Sequence, residues 1–136
     1  MPTPPVQNAE DLKGKKGLRR LVNATRYSMQ GFKAAYRHEA AFREETLVSC
    51  ILIPLAILLP ISWFETAVLI SSILLVLLAE IFNSALEAVV DRIGPELHPL
   101  SGRAKDMGSA AVFLALIIAL VLWLSVIVPL GLSWVI

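Results

Sequence analysis

Polar residues recur at helical spacing inside an otherwise apolar stretch near the middle of the chain, residues 79–92. At 100° per residue, their side chains fall within about a 100° arc of one helix face. The members of this polar stripe are Glu80, Asn83, Ser84, Glu87 and Asp91. A carboxylate at membrane depth is costly and usually functional, so the stripe predicts a catalytic site or an ion pathway. A structural hydrogen-bond seam between helices is the plainer alternative.

The two glutamates of the stripe are expected to differ in depth. Seven residues of helix separate Glu80 from Glu87, a rise of about 10 Å. If this helix crosses the membrane from outside to inside, Glu87 lies nearer the cytosol and can meet a soluble metal–phosphate group. Glu80 then lies at the depth of lipid headgroups and upper acyl chains.

A charged segment, HEAAFREE from His38 to Glu45, precedes the first long apolar run. Glu39 and Arg43 are four residues apart, which predicts neighbours on one helix face. Such a segment taken alone is more often a solvated helix end. The Gly-rich phosphate loops of soluble kinases are absent from the sequence. Because Mg²⁺ usually takes one or two carboxylates together with substrate phosphates, Glu39 and Glu87 are candidate ligands.

A second charged segment, HPLSGRAKDMGSAA, begins at His98. Arg103 and Lys105 have the charge to hold phosphates, and Asp106 has the chemistry to bind a metal, a nucleotide or Lys105. This segment, too, is by itself typical of an ordinary boundary between a loop and a membrane helix.

Long apolar runs must position these residues. The chain is 57% apolar, residues 46–64 and 107–136 carry no charge, and residues 66–90 carry only Glu80 and Glu87. A membrane span needs about 20 mostly apolar residues, so the sequence predicts an all-α membrane protein with three transmembrane helices. A soluble helical bundle is disfavoured, because these runs lack the polar face that a soluble helix needs.

The charges predict how the chain is organised across the membrane. Nine of the twelve basic residues lie in the first 46 positions, which places the N-terminus and the loop after the second span in the cytoplasm and the C-terminus outside. An amphipathic, basic helix before the first span is typical of one lying on a membrane surface, and packing on the cytoplasmic end of the helical bundle is an equal alternative. The predicted divisions are a flexible basic tail at 1–17, a surface helix and junction at 18–45, transmembrane helices at 46–64 and 66–92, a cytoplasmic loop at 93–100, and a third transmembrane helix with a cytoplasmic extension at 101–133.

Helix ends are also marked in the sequence. Pro54 and Pro60 are expected to kink the first span or mark its end, and Gly94 followed by Pro95 is a helix stop signal. Ser101 is the expected cap of the third span.

Three segments together resemble the signature blocks of the prokaryotic diacylglycerol kinase family. They are EAAFREE at 39–45, EIFNSALEAVVDRIG at 80–94 and HPLSGRAKDMGSAAV at 98–112. The resemblance implies homotrimers of three-span subunits in the bacterial inner membrane. It also implies transfer of the γ-phosphate of Mg²⁺–ATP to diacylglycerol, giving phosphatidic acid. Membrane lipids are then natural partners, and no nucleic-acid partner is expected.

The resemblance also implies roles for individual residues. Glu80 matches the catalytic base, Asn83 a supporting polar partner, and Glu39 and Glu87 the metal-binding carboxylates. Nucleotide contacts are expected at Arg20, Tyr27, Glu39, Glu87, Glu96, Leu97, His98, Lys105 and Asp106. Lipid-substrate contacts are expected at Arg20, Ala41, Phe42, Arg43, Glu44, Glu45, Glu80 and Ser109.

Two other functions remain open from the sequence. An undecaprenol kinase would use similar carboxylates on a different lipid alcohol, and the lipid-facing groove would distinguish the two. A small oligomeric transporter or channel subunit would use Glu80 and Glu87 as a proton or cation relay. Such a relay does not need the charged segments that flank the apolar runs.

Overall fold

The computed structural model describes residues 17–94 and 98–133, and the helical prediction is confirmed there. The helices are α1 (Leu18–His38), α2 (Ala40–Leu58), α3 (Trp63–Ile93) and α4 (Pro99–Ser133), and no strand occurs in these two ranges. The predicted tail up to residue 16, together with residues 95–97 and 134–136, lies outside the described part. The chain divides into two compact units, one ending at Ala34 and the other beginning at Ala35.

The first unit contains most of α1, whose amphipathic pattern is confirmed as a helix. Leu21, Val22, Met29 and Phe32 are all exposed. Because these side chains recur at helical spacing, they form an apolar face along α1.

A break at Glu39 separates α1 from α2. Glu39 has an extended backbone (φ −106°, ψ 119°) and is the N-cap residue of α2, so it does not share a regular helix face with Arg43 as the spacing predicted. The Arg43 guanidinium instead donates hydrogen bonds to the carbonyls of Tyr36 (3.2 Å) and Arg37 (3.3 Å). These carbonyls belong to the last turn of α1, where a helix leaves its acceptors without partners and favours a positive charge.

The turn between α2 and α3 lies earlier than the sequence divisions placed it. Helix α2 ends at Leu58, and Leu59 is extended (φ −65°, ψ 141°), as expected for a residue directly before a proline. Helix α3 then begins with a capping box: Ser62 Oγ accepts from Glu65 N (3.2 Å), and Ser62 N donates to Glu65 Oε2 (2.8 Å). Glu65, which lies between the predicted spans at 46–64 and 66–92, therefore belongs to the first turn of α3.

The end of α3 agrees with the sequence prediction, and the start of α4 differs from it. Helix α3 stops before Gly94, as predicted, and the φ of Gly94 is 151°, which favours glycine. Helix α4 begins at Pro99 and not at Ser101, because the imidazole Nδ1 of His98 accepts a hydrogen bond from Leu100 N (3.2 Å). Proline is favoured at the first helical position, where its missing N–H costs no hydrogen bond.

Helix α3 is central in the second unit and packs against both α2 and α4. Ala56, Leu69 and Val126, one from each helix, form the apolar core. Helices α3 and α4 have 31 and 35 residues and are long and apolar enough to cross a membrane. Helix α2 has 19 residues but carries three charges near its start, so only residues 46–58 form a charge-free helix there.

Candidate functional site

Glu80 lies in the middle of α3 and is only 5% exposed. The carboxylates of Glu39 and Glu87 are both close enough to act on Glu80 electrostatically. Glu39 comes from the break before α2, and its side chain makes no cap hydrogen bond. The fold therefore brings acidic groups from two separate sequence segments to one place.

Glu45 joins this group from the second turn of α2, just before the predicted span at 46–64. Burial, and then the charge of Glu80, raise the pKa of Glu45 to about 7. Its Oε2 atom is buried and has no hydrogen-bond partner among the described residues. Glu39, Glu45, Glu80 and Glu87 are here called the acidic cluster. Because like charges in a poorly solvated site repel, such a cluster favours binding a proton or a cation.

An amide on α3 orients one carboxylate of the cluster. Asn83 donates a hydrogen bond from Nδ2 to Glu87 Oε1 (3.1 Å). Glu87 is one turn further along the same half-buried helix face. This contact agrees with the supporting role that the resemblance implied for Asn83, although the role itself stays a prediction.

A basic residue lies beside the acidic cluster. Lys105 Nζ is 2.6 Å from Asp91 Oδ1, so Lys105 pairs with Asp91 on α3 and not with its neighbour Asp106. The hydrogen bond to Asp91 is the main cause of a raised pKa at Lys105, and the charges of Asp91 and Glu87 add to it against partial desolvation. Lys105 thus supplies a positive charge close to Glu87, where a phosphate would need one.

The donors suit a hard cation that brings its own additional ligands. In the described part of the chain, no three or more His, Cys, Asp or Glu side chains form a closed metal site. Mg²⁺ rarely uses such a closed protein cage and is usually held by one or two carboxylates plus substrate phosphates. Glu39 and Glu87, which both act electrostatically on Glu80, fit that requirement.

The remaining predicted contacts are spread over the helices. Phe42 is buried, whereas most of the others are exposed. The exposed set is Arg20 and Tyr27 in the first unit, Ala41, Arg43 and Glu44 on α2, and His98, Asp106 and Ser109 in or next to α4. Glu96 and Leu97 lie outside the described residues.

An apolar cavity of about 550 Å³ opens between α2, α3 and α4. Glu44, Glu45 and Ser49 form its polar end. The rest of its wall is almost entirely apolar: Val48, Leu52, Ile73, Val76, Leu116, Ala119, Leu120 and Trp123. A cavity of this size and composition can hold part of an apolar ligand whose polar group lies beside the acidic cluster.

Trp123 is a wall residue that the sequence analysis did not select. Its indole Nε1 is buried without a hydrogen-bond partner in the described part of the chain. Its position in the sequence could have identified it as an interior residue. Trp123 lies well inside a charge-free run, whereas interfacial aromatic residues lie at the ends of such runs.

In the described residues the fold is all-helical, with two helices long and apolar enough to cross a membrane and an acidic cluster beside an apolar cavity. Comparison with known proteins agrees: the model of the prokaryotic diacylglycerol kinase family matches residues 26–127. A diacylglycerol kinase of Haemophilus influenzae is 55% identical over 107 residues, covering 79% of this chain and 91% of that protein. The diacylglycerol kinase of Pseudomonas aeruginosa is 54% identical, covering 84% of this chain and 93% of that protein. The diacylglycerol kinase of Escherichia coli K12 is 50% identical, covering 79% of this chain and 88% of that protein. The chain belongs to the prokaryotic diacylglycerol kinase family.

Proposed function

We propose that this chain phosphorylates diacylglycerol with ATP, producing phosphatidic acid and ADP. Family membership supports the activity. The observation that carries the proposal is the buried Glu80, which lies within the acidic cluster one helical turn from the wall of the apolar cavity at Val76. This arrangement suits a reaction between a water-soluble nucleotide and an alcohol that stays in the membrane.

Glu80 is the proposed general base. The lipid hydroxyl oxygen attacks the γ-phosphorus of ATP, a new O–P bond forms, and the bond from the γ-phosphorus to the bridging oxygen of ADP breaks. Glu80 accepts the hydroxyl proton as the attack proceeds. Phosphoryl transfer depends mainly on positioning and charge neutralisation, so a small polar site can suffice.

The nucleotide side of the site is assigned to charged residues around Glu80. Glu39 and Glu87 hold Mg²⁺, and Asn83 keeps the Glu87 carboxylate oriented through its 3.1 Å hydrogen bond. When bound, Mg²⁺ neutralises charge on the β- and γ-phosphates. Lys105, held by Asp91, adds a positive charge near Glu87. The other proposed nucleotide contacts are Arg20, Tyr27, Glu96, Leu97, His98 and Asp106.

The lipid side of the site is assigned to the start of α2 and the cavity. The proposed contacts with diacylglycerol are Arg20, Ala41, Phe42, Arg43, Glu44, Glu45, Glu80 and Ser109. An acyl chain would lie against the apolar wall, with the glycerol hydroxyl toward Glu45 and Glu80. Because an acyl chain that enters the cavity from the membrane exchanges one apolar environment for another, its placement depends on packing and shape and not on removal from water.

The membrane arrangement belongs to the same proposal. Helix α2 would cross the membrane as the first of three spans in the bacterial inner membrane, with the acidic cluster toward the cytoplasm and the C-terminus outside. The chain would act as a homotrimer. The exposed apolar side chains of α3 and α4, such as Leu74, Phe82, Leu114 and Leu124, would then contact lipid or a neighbouring subunit.

Lipid phosphorylation in mixed micelles tests this function directly. The purified chain would be given γ-labelled ATP and Mg²⁺ with either a diacylglycerol or undecaprenol, and labelled lipid would be extracted and measured. We expect label on the diacylglycerol and ATP consumption that requires the lipid. Label on undecaprenol alone would identify the other lipid kinase, and ion flux without lipid phosphorylation would support the transporter.

A further inference from the structure

Gly108 on α4 lies directly against the amide of Asn83 on α3. A Cβ atom at position 108 would overlap Asn83 Oδ1 and would lie 3.4 Å from Asn83 Cγ and 3.6 Å from Leu86 Cδ2. By contrast, a Cβ added at Gly131, near the other end of α4, would meet no atom within 4 Å. The close approach at Gly108 is therefore a feature of this position and not of the glycines of α4 in general.

The contact bears on a side chain that already orients part of the acidic cluster. Asn83 donates through Nδ2 to Glu87 Oε1, and only the amide nitrogen can donate to that carboxylate. Its Oδ1 atom is buried and accepts no hydrogen bond from the described residues. A hydrogen bond therefore fixes only the nitrogen side of the amide, and packing against Gly108 limits the oxygen side.

We infer that Gly108 is a positioning residue for the phosphoryl-transfer site, acting through Asn83 on Glu87. The inference rests on the proposed function, in which Glu87 holds Mg²⁺ with the nucleotide. A methyl group at 108 would displace the amide oxygen, because the overlapped atom is the end of a rotatable side chain. Turning the amide moves Nδ2 away from Glu87, and hydrogen bonds weaken steeply with misalignment. Glu87 then loses the partner that fixes its oxygens.

The consequence differs from that of an ordinary packing defect. Leu86 would be in ordinary van der Waals contact with the added methyl group, so the helices need not separate. Partners that orient metal ligands typically change metal affinity or activity by 10–100-fold when removed. We therefore expect Gly108→Ala to fold and to bind Mg²⁺–nucleotide poorly.

Four variants of the full chain test this inference: Gly108→Ala, Asn83→Ala, the double variant, and Gly131→Ala as the matched control. Two quantities are measured for each. They are the Mg²⁺ concentration that gives half-maximal lipid phosphorylation and, by calorimetry, the affinity for a non-hydrolysable ATP analogue with Mg²⁺. Thermal unfolding is followed in parallel to separate folding from site geometry.

Gly108→Ala and Asn83→Ala are each expected to raise the Mg²⁺ requirement and weaken analogue binding by about tenfold, with melting temperatures near that of the parent. The double variant should be no worse than Asn83→Ala, because the amide is then already gone. Gly131→Ala should match the parent in all three measurements.

A further tenfold loss when Gly108→Ala is added to Asn83→Ala would overturn the inference, since the effect would not pass through the amide. Unchanged analogue binding and Mg²⁺ requirement in Gly108→Ala would overturn it as well. If Gly108→Ala does not fold, the comparison of Asn83→Ala with the double variant still decides. If the parent chain does not phosphorylate diacylglycerol, the proposed function fails, while the binding series still reports whether Gly108 and Asn83 act together.

Discussion

Lys105 and Asp91 connect the start of α4 to the end of α3, with Lys105 Nζ 2.6 Å from Asp91 Oδ1. Both side chains remain partly exposed, and exposed ion pairs contribute little to folding. The ion pair matters more for where it holds Lys105, because Lys105 also interacts electrostatically with Glu87. Asp91 restricts a long, flexible lysine to a place beside the acidic cluster, where nucleotide phosphates are proposed to bind.

Asp91→Asn is expected to raise the KM for ATP a few fold and to leave the melting temperature nearly unchanged. The cause is that the neutral amide holds the Lys105 ammonium less firmly. Initial rates at varied ATP concentration measure the effect. Adding Asp91→Asn to Lys105→Met should have no further consequence for the KM. A second rise in that background would mean that Asp91 acts independently of Lys105.

Glu80→Gln is expected to lower kcat by about 10²–10⁴-fold, because the amide cannot accept the hydroxyl proton. Affinity for a Mg²⁺–ATP analogue should remain within a few fold of the parent, since Glu39, Glu87 and Lys105 are intact. Calorimetry and initial rates measure the two quantities. Glu65→Gln removes a carboxylate far along the same helix and should keep full turnover. Loss of nucleotide binding in Glu80→Gln would contradict the role as base.

Periodicity alone was sufficient to find the polar stripe of α3. Glu80, Asn83 and Glu87 lie at helical spacing in an apolar run, and the structure connects them by a hydrogen bond and by electrostatic contact. The stop at Gly94 was also visible, because a glycine followed by a proline ends helices for local steric reasons. Such features can be predicted from the sequence because the residues that cause them lie within a few positions of one another.

Features that depend on packing between helices were not accessible in this way. Nothing near Gly108 in the sequence indicates that its missing side chain makes room for Asn83, which is 25 residues away. Lys105 had a nearer candidate partner in Asp106, and only the approach of α4 to α3 selects Asp91. The break at Glu39 was missed because Arg43 stabilises it through carbonyls that precede it.

Ala119→Phe tests the lipid side of the site. Ala119 lines the apolar cavity, so a phenyl ring there should fill space assigned to an acyl chain. We expect the KM for a long-chain diacylglycerol to rise by about tenfold, equivalent to about 1.4 kcal/mol of lost binding, while the KM for ATP stays constant. A diacylglycerol with short chains should be affected less.

The matched control for Ala119→Phe is Val121→Phe, because Val121 is on the same helix and is 58% exposed. It should change neither KM. Equal effects of both variants on the lipid KM would show that added aromatic bulk on α4, and not filling of the cavity, is responsible. Overpacking can lower the free energy of unfolding by about 1–3 kcal/mol. Thermal unfolding of both variants is therefore compared before their KM values.

The capping box of Ser62 and Glu65 makes stability depend on pH at the start of α3. Hydrogen bonds from Ser62, first through its side chain and then through its backbone, lower the pKa of Glu65 below its ordinary value of 4.5. Glu65 precedes the predicted span at 66–92 and is reached by water. Because the pKa is lower in the folded chain, the ionised cap is fully stabilising above the ordinary value. Its contribution is lost as pH falls through the lower, folded value.

Glu65→Gln separates this titration from the cap itself, because glutamine can form the same box but carries no charge. Above pH 4.5, the ordinary value, the parent should melt at a higher temperature than the variant. The difference should shrink as pH falls through the lower pKa of the folded chain, since a protonated Glu65 no longer offers Ser62 a charged acceptor. Melting temperatures of both proteins, measured in the same detergent at stepped pH, give the comparison. If the difference in melting temperature between parent and variant instead grew on acidification, its sign would be opposite to the one that the lowered pKa requires. Glu65 could then not be the cause of the pH dependence.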